Sequence, residues 1–236
     1  MTLDRITDEL LEALKGLRFG APVSHTYNPL EYAREPYRQY LHRYGRRPKQ
    51  VVLVGMNPGP WGMAQTGVPF GEITAVRDWM GIEAPVGRPD RMHPRRPVVG
   101  FACTRKEVSG QRLWGWARAT FDSPEKFFGR LFVANYCPLL FIDHNGSNRT
   151  PDKLKQKEAD PLFAACDHAL RRMIKVLQPE HVVGVGRFAA DRARVALASL
   201  PVKVGGITHP SPANPKANRG WESIITNELN ALGIRL

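Results

Sequence analysis

The segment that decides the fold is Gly55-Met56-Asn57-Pro58-Gly59-Pro60-Trp61-Gly62-Met63-Ala64-Gln65-Thr66-Gly67-Val68-Pro69-Phe70-Gly71-Glu72. It follows the apolar run Val51–Val54, which is typical of a buried strand. Five glycines and three prolines in eighteen residues argue against a helix or a regular strand here. Because open α/β sheets bind ligands in loops at the carboxyl ends of their strands, the segment predicts one wall of a ligand site.

A second loop of similar character lies far downstream, at His209-Pro210-Ser211-Pro212-Ala213-Asn214-Pro215. It follows another short apolar run, Val202–Ile207, which also reads as a strand. Each loop carries a polar side chain beside prolines, Asn57 in the first and His209 in the second. We therefore expect the two loops to form opposite walls of one active site.

Apolar periodicity predicts strands that alternate with helices along the chain. The predicted strands are Val51–Val54, Leu131–Asn135, His181–Val185 and Val202–Ile207. The predicted helices are Leu3–Leu17, Leu30–Tyr44, Ile73–Met80, Trp114–Phe121, Pro161–Leu177, Phe188–Leu200 and Asn218–Leu232, with loops at 83–96 and 143–151. This alternation indicates a mainly parallel sheet covered by helices on both faces. With no repeat or linker in view, we expect residues 1–236 to form a single domain.

The charge of the chain favours a polyanionic partner. The formal net charge is +12, and the basic residues are unevenly spread. Between positions 91 and 118 only one acid, Glu107, stands against Arg91, Arg95, Arg96, Arg105, Lys106, Arg112 and Arg118. This asymmetry indicates contacts with nucleic-acid phosphates, although simple solubility is the alternative explanation of a basic surface.

The cysteines and the chain start bear on compartment and cofactors. Cys103, Cys137 and Cys166 are widely spaced, odd in number and outside any CxxC pair, which is typical of a reducing compartment. They predict neither a zinc nor an iron–sulfur site. The first residues contain no apolar signal core, and no uncharged apolar run is long enough to span a membrane. We expect a soluble, intracellular protein, cytoplasmic and nucleoid-associated in a bacterium or nuclear in a eukaryote.

Three separated motifs resemble the single-strand-selective monofunctional uracil-DNA glycosylase family of the uracil-DNA glycosylase superfamily. They are Gly55–Glu72, Asn135-Tyr136-Cys137-Pro138-Leu139-Leu140-Phe141, and His209-Pro210-Ser211-Pro212 with Asn214-Pro215. The resemblance runs from about Tyr32 to the C-terminus. It implies a three-layer α/β/α fold with a four-stranded parallel sheet and no metal or other cofactor. The implied partner is uracil-containing DNA, and we expect a monomer that does not associate with membranes.

The implied reaction is hydrolysis of the N-glycosidic bond of uracil, and of 5-substituted uracils such as 5-hydroxymethyluracil, in single- and double-stranded DNA. Such a reaction needs a positioned water and a group that stabilises the departing base anion. Asn57 is the candidate that holds the water, because an amide is a poor base but can orient one. His209 is the candidate that stabilises the anion. The first motif contains no lysine that could form a Schiff base, which favours monofunctional chemistry.

The remaining candidates concern the base and the DNA strand. Asn135 can donate to uracil O4 and accept from N3–H, and Phe70 can stack on the extruded ring. Gly59 stands where uracil-only relatives carry a tyrosine, so it and Met63 leave room for a 5-substituent. The loop from Pro210 to Arg219 is the predicted DNA wedge, with Ser211, Ala213, Asn214, Lys216 and Arg219 as contact candidates. Where the family often has an arginine, this chain has Ala213.

Three other functions stay open on sequence grounds alone. A related glycosylase could act mainly on hypoxanthine or xanthine, since Asn57 and the small Gly59 tolerate a purine. A protein of the same fold could bind damaged bases without turnover. A nucleoside hydrolase acting on small molecules is the third, although the net charge of +12 speaks against it.

Overall fold

Four parallel strands form the central sheet of this computed structural model, which describes residues 1–46 and 48–236. The strands are β2 (Val51–Gly55), β3 (Leu131–Asn135), β6 (His181–Val185) and β7 (Lys203–Ile207), in the order β3-β2-β6-β7. Every residue of β2 and β6 is buried, as expected for central strands covered on both faces. The four strands predicted from the sequence are thereby confirmed.

Helices cover both faces of this sheet. The α-helices of the described residues are α1 (Leu3–Leu14), α2 (Pro29–Tyr32), α3 (Arg34–Tyr44), α4 (Met63–Thr66), α5 (Val108–Phe121), α6 (Pro124–Arg130), α7 (Gln156–Leu177), α8 (Arg187–Leu197) and α9 (Trp221–Ala231). Two adjacent glycines of β7 show the layering. A Cβ on Gly205 would lie 2.7 Å from Leu232, just beyond α9, and one on Gly206 would lie 2.9 Å from Ala190 of α8. Because neighbouring strand residues face opposite sides, α8 and the end of α9 lie on opposite faces. The predicted three-layer α/β/α fold is confirmed.

A second sheet was not predicted. Its strands are β1 (Val23–Tyr27), β4 (Leu140–Asp143) and β5 (Asn148–Arg149), and they pair antiparallel in the order β1-β4-β5. The predicted loop at 143–151 is the turn of the β4–β5 hairpin followed by β5. Most of β1 is polar, and its partner β4 lies more than a hundred residues away. Local periodicity cannot reveal a strand whose stability depends on such a distant partner.

Several helix boundaries also differ from the predictions. Helix α5 begins at Val108, six residues before the predicted start, because the Glu107 carboxylate caps it by accepting from the backbone N–H groups of Ser109 and Gly110. Helix α7 begins at Gln156, so Pro161 lies inside it and not at its start. In the glycine-rich segment, where a helix was considered excluded, α4 forms a single turn that ends at Gly67 with φ +74°.

None of the helices in the described part of the chain combines the length and the apolar character that a membrane span needs. The three cysteines are free and buried. Within residues 1–46 and 48–236, no three or more His, Cys, Asp or Glu side chains are grouped so that they could hold a metal ion.

Candidate active site

A cavity of about 410 Å³ lies at the carboxyl ends of β2, β3 and β7. This is the edge at which parallel α/β sheets place their ligand sites. Its lining residues are Met56, Asn57, Gly59, Pro60, Met63, Phe70, Glu107, Ser109, Asn135, Asn148, Thr150, His209, Ser211 and Pro212. Residues of both loops singled out in the sequence therefore line the same cavity, together with Asn135 at the end of β3.

Gly55, the last residue of β2, allows two of the predicted side chains to converge. It pairs with Asn135 at the end of β3. A Cβ at Gly55 would come within 2.4 Å of Asn135 Oδ1 and within 2.6 Å of Phe70 Cε2. Real Cβ atoms do not approach other atoms so closely, so only glycine lets both side chains reach this place.

Phe70 holds a backbone conformation that is unfavourable for a residue with a side chain. Its φ is +52°, in the left-handed region. The indole N–H of Trp114, on α5, donates to the Phe70 carbonyl at 2.9 Å and stabilises this conformation. The Phe70 ring faces the cavity with its centroid 6.1 Å from that of His209. Strain of this kind is found most often at functional sites.

The orientation of the Asn57 amide follows from a single contact. Its Nδ2 donates to the carbonyl of Leu139 at 3.1 Å. Leu139 immediately precedes β4, so the second sheet sets the position of that carbonyl. Since the nitrogen is engaged, Oδ1 is the amide atom available to accept a hydrogen bond from a water.

His209 is held in one tautomer. The backbone N–H of Ser211 donates to its Nδ1 at 3.0 Å, so Nδ1 carries no proton. The ring proton of the neutral imidazole is then on Nε2, which can donate to a ligand. Burial lowers the pKa of His209 to about 4, because a charged imidazolium would lose its hydration. The side chain is therefore a neutral donor at pH 7.

Glu107 is a site residue that the sequence analysis did not identify. It was noted there only as the single acid of a basic stretch. Besides capping α5, its carboxyl lines the cavity behind two glycines: a Cβ on Gly59 would lie 3.8 Å from Oε1, and one on Gly62 would lie 2.7 Å from Cγ. Burial raises the pKa of Glu107 to about 7, and the backbone hydrogen bonds from Gly110 and Ser109 counteract part of this rise. A buried carboxyl that titrates near neutrality is typical of a functional site.

Asn135 and Met63 lie side by side at the base of the cavity. Asn135 Nδ2 donates to the Met63 sulfur at 3.2 Å. A thioether is a weak acceptor, so a carbonyl oxygen of a ligand could replace it at little cost. The Asn135 amide can thus form hydrogen bonds with the polar edge of a planar ring that occupies the cavity.

The predicted wedge loop is divided between internal and exposed groups. Asn214 Nδ2 donates to the His209 carbonyl at 3.2 Å, and the Ser211 hydroxyl accepts from the Ala213 N–H at 3.2 Å. Lys216 forms an ion pair with Glu228 at 2.7 Å. Ala213 and Arg219 are exposed, and Arg219 lies in a short 3₁₀ turn, Ala217–Arg219. Of the predicted DNA contacts, only Ser211 borders the cavity itself.

Further lining residues come from regions in which the sequence predicted neither a helix nor a strand. Asn148 and Thr150 reach the cavity from β5 and the residue that follows it, and Ser109 reaches it from the first turn of α5. No local signal marks them, except that Glu107-Val108-Ser109-Gly110 has the residue types of a helix start. His93 is buried; its backbone N–H donates to the Tyr27 hydroxyl at 2.7 Å, and its ring accepts from the Arg95 N–H.

Comparisons with known proteins match most of the chain in sequence. The family model of the Uracil DNA glycosylase superfamily matches residues 42–229. The single-strand selective monofunctional uracil DNA glycosylase of Bos taurus is 51% identical over 232 residues, covering 98% of this chain and 84% of the relative. That of Mus musculus is 50% identical over 223 residues, covering 94% and 80%.

A solved structure supports the fold. The crystal structure of wild-type Pedobacter heparinus SMUG2 covers 97% of each chain with a TM-score of 0.67, at 16% sequence identity. At this identity the likeness concerns the fold alone. The family model over residues 42–229 and the two relatives of 51% and 50% identity show that this chain belongs to the single-strand-selective monofunctional uracil-DNA glycosylase family of the uracil-DNA glycosylase superfamily.

Proposed function

We propose that this protein is a monofunctional DNA glycosylase that removes uracil from DNA and leaves an abasic site. One observation carries the proposal. Asn57, Phe70, Asn135 and His209, from three separated parts of the chain, converge on a single cavity large enough for a nucleotide base. To reach it, the target nucleotide leaves the base stack.

In the reaction, the bond between C1′ of deoxyribose and N1 of uracil breaks, and its electron pair stays on the base. A water oxygen bonds to C1′, and the proton that this water loses passes to the uracil anion or to solvent. Asn57 Oδ1 holds the water, since Nδ2 is engaged by the Leu139 carbonyl. The His209 Nε2–H donates to uracil O2, where negative charge develops. A neutral imidazole suffices, because a hydrogen-bond donor stabilises the anion without a full charge.

Selection of uracil against cytosine rests on Asn135 in this proposal. Its Nδ2 leaves the Met63 sulfur and donates to O4, while Oδ1 accepts from N3–H. Cytosine presents an amino group and an unprotonated nitrogen at these places, so both ends of the amide would be mismatched. Two mismatched buried polar groups cost about 2–6 kcal/mol together.

The same geometry supports acceptance of 5-substituted uracils such as 5-hydroxymethyluracil. Gly59 has no side chain, and the space where its Cβ would lie borders the Glu107 carboxyl. A polar 5-substituent can form hydrogen bonds there that a methyl group cannot. The protein is therefore proposed to act on 5-hydroxymethyluracil and to exclude thymine, in single- and double-stranded DNA.

Incubation with a single-stranded oligonucleotide that contains one uracil, followed by alkali, tests the proposal. Cleavage at the uracil position is expected, with none in matched oligonucleotides that contain cytosine or thymine. Parallel oligonucleotides with hypoxanthine and xanthine test the purine alternative, and free deoxyuridine tests the nucleoside hydrolase. Binding to the uracil oligonucleotide without any alkali-labile product would contradict the enzyme assignment and favour a damaged-base binder.

A further inference from the structure

A second cleft of about 350 Å³ opens beside the base cavity and takes no part in the mechanism above. We call it the arginine cleft and define it by Trp61, Arg95, Arg96, Thr104 and Arg105, which line it. The described residues around it include no acid. Three guanidinium groups in one depression, on a chain of net charge +12, make an anionic ligand the natural occupant.

Trp61 organises two of these guanidinium groups. The Arg105 guanidinium carbon lies 4.9 Å from the centroid of the Trp61 ring, and that of Arg96 lies 5.3 Å from it. Contact with an aromatic face positions a guanidinium without consuming its hydrogen-bond donors. The two side chains therefore keep N–H groups for an incoming anion while their positions are restrained.

No acid among residues 1–46 and 48–236 neutralises either of these arginines. In the described part of the chain, no carboxylate lies within ion-pair distance of Arg96 or Arg105. The buried Nε of Arg96 also has no hydrogen-bond partner among the described residues. Arg192 shows the contrast: it also lies over aromatic rings, but it is paired with Asp167.

Other basic residues of the 91–118 stretch are turned toward the protein. Arg112 donates to the Pro210 carbonyl and to Asn218 Oδ1, both at 2.9 Å, and so ties α5 to the wedge loop. Arg118 lies over the Trp79 ring and donates to the Thr74 carbonyl at 3.4 Å. Arg95, Arg96 and Arg105 of the same stretch line the arginine cleft. There Arg95 Nη1 donates to the Asn145 carbonyl at 3.0 Å and Arg96 Nη1 to the Arg95 carbonyl at 3.1 Å, which leaves the other N–H groups of these side chains for a ligand.

The arginine cleft continues directly from the base cavity. Trp61 follows Pro60, which lines the cavity, and Arg105 lies two residues before Glu107, which also lines it. Two residues span at most about 7 Å of chain. The cleft is therefore close enough to the cavity to be reached by phosphates that flank a nucleotide held there.

We propose that the arginine cleft binds the backbone phosphates of the substrate strand that flank the extruded nucleotide, with Trp61 ordering Arg96 and Arg105 for this contact. The inference rests on the proposed function only in that the substrate is DNA. It assigns a role to an element that lies outside the glycosidic chemistry. It also separates local phosphate binding from the general attraction of a basic surface.

The test measures binding of a labelled single-stranded oligonucleotide carrying an uncleavable 2′-fluoro analogue of deoxyuridine, at several salt concentrations. The double variant Arg96→Gln/Arg105→Gln is expected to bind about tenfold more weakly or worse. The slope of log affinity against log salt should fall in magnitude by about 0.7 for each lost phosphate contact. Replacing Lys175 and Lys203 together by Gln removes two charges as the control, at exposed sites near the amino ends of β6 and β7 and thus at the opposite end of the sheet.

Trp61→Leu keeps every charge and tests the ordering role. It is expected to weaken binding by a smaller factor than Arg96→Gln/Arg105→Gln. Thermal unfolding of each variant is compared with that of wild type to confirm that the variant is folded. Single methylphosphonates, which remove the charge of one phosphate, then locate the contact. Wild type should lose affinity at a phosphate next to the analogue, whereas the double variant should be indifferent to it.

Two results would overturn the proposal. One is a salt slope for Arg96→Gln/Arg105→Gln equal to that of the control, which lacks the same number of charges. The other is a methylphosphonate profile identical in wild type and double variant. Uracil release by the wild-type protein is measured separately, so its absence would contradict the proposed function and leave the binding comparison standing.

Discussion

The protonation of His209 leads to a prediction about acid pH. Burial lowers the pKa of this side chain from 6.5 to about 4, a difference that corresponds to about 3 kcal/mol in favour of the neutral form. If the neutral imidazole is the form that donates to the departing base, then roughly 97% of the molecules carry His209 in that form at pH 5.5. A histidine with an ordinary pKa would be roughly 9% neutral at that pH, so the two cases differ about tenfold in rate.

The assay is single-turnover release of uracil from a single-stranded oligonucleotide, with enzyme in excess, between pH 4 and 8. The acid limb of the rate is expected near pH 4. Glu107 lines the same cavity, and its pKa is raised to about 7. Glu107→Gln therefore serves as the matched variant, in which His209 is the titratable side chain left among the lining residues of the cavity. A rate that halves near pH 6.5 in both proteins would refute the neutral, buried imidazole.

The free energy of unfolding should also depend on pH through the protonation of His209. Because the folded-state pKa of His209 lies below the unfolded value, the unfolded chain binds more protons between pH 6.5 and about 4. The contribution of this residue to stability is therefore fully present above pH 6.5 and is lost as the pH falls toward 4. In His209→Gln this part of the acid decline should be absent when urea denaturation is followed at several pH values.

Four further predictions concern other residues of the site. Asn57→Ala should lower single-turnover uracil release about a hundredfold or more while oligonucleotide binding persists, because positioning of the water acts in the transition state; turnover near that of wild type would remove Asn57 from the mechanism. Gly55→Ala should lower the free energy of unfolding by about 1–3 kcal/mol in urea titration, since its Cβ would collide with Asn135 and Phe70; unchanged stability would show that these side chains can move aside. Relative to Glu107→Gln, wild type should become progressively less stable as the pH rises from 4.5 to about 7, because the raised folded-state pKa makes the native protein bind more protons than the unfolded chain in that range; parallel pH profiles of the two proteins would contradict the raised pKa. Ala213→Arg should raise the ratio of single-turnover rates on duplex and single-stranded uracil, because a long side chain at this exposed position can fill the space left by the extruded base; an unchanged ratio in a folded variant would place the wedge elsewhere.

The sequence by itself determined the four parallel strands, most helices and the two loops of the active site. These features depend on local properties: the period of apolar residues, the run length of a buried strand, and the positions of glycine and proline. Asn57 and His209 could be singled out for the same reason, since each lies within three residues of the end of a predicted strand. The order of motifs then indicated the family, which the comparisons show.

Only the tertiary structure decided how those residues are held. The Leu139 carbonyl orients Asn57 from the start of an antiparallel sheet that no local pattern indicates. Glu107 became part of the site because its carboxyl both caps α5 and packs behind the glycines of the first loop. Lys216, expected at a phosphate, is instead paired with Glu228 from α9.

The electrostatics were likewise settled by packing. The pKa of His209 depends on how completely distant segments remove water from its ring, and the free charge of Arg96 and Arg105 depends on which acids the fold places beyond their reach. Both are properties of atoms that are close in space and remote along the chain. A sequence shows which residues can carry out a reaction, but their charge states and orientations are set by contacts that only the folded chain brings together.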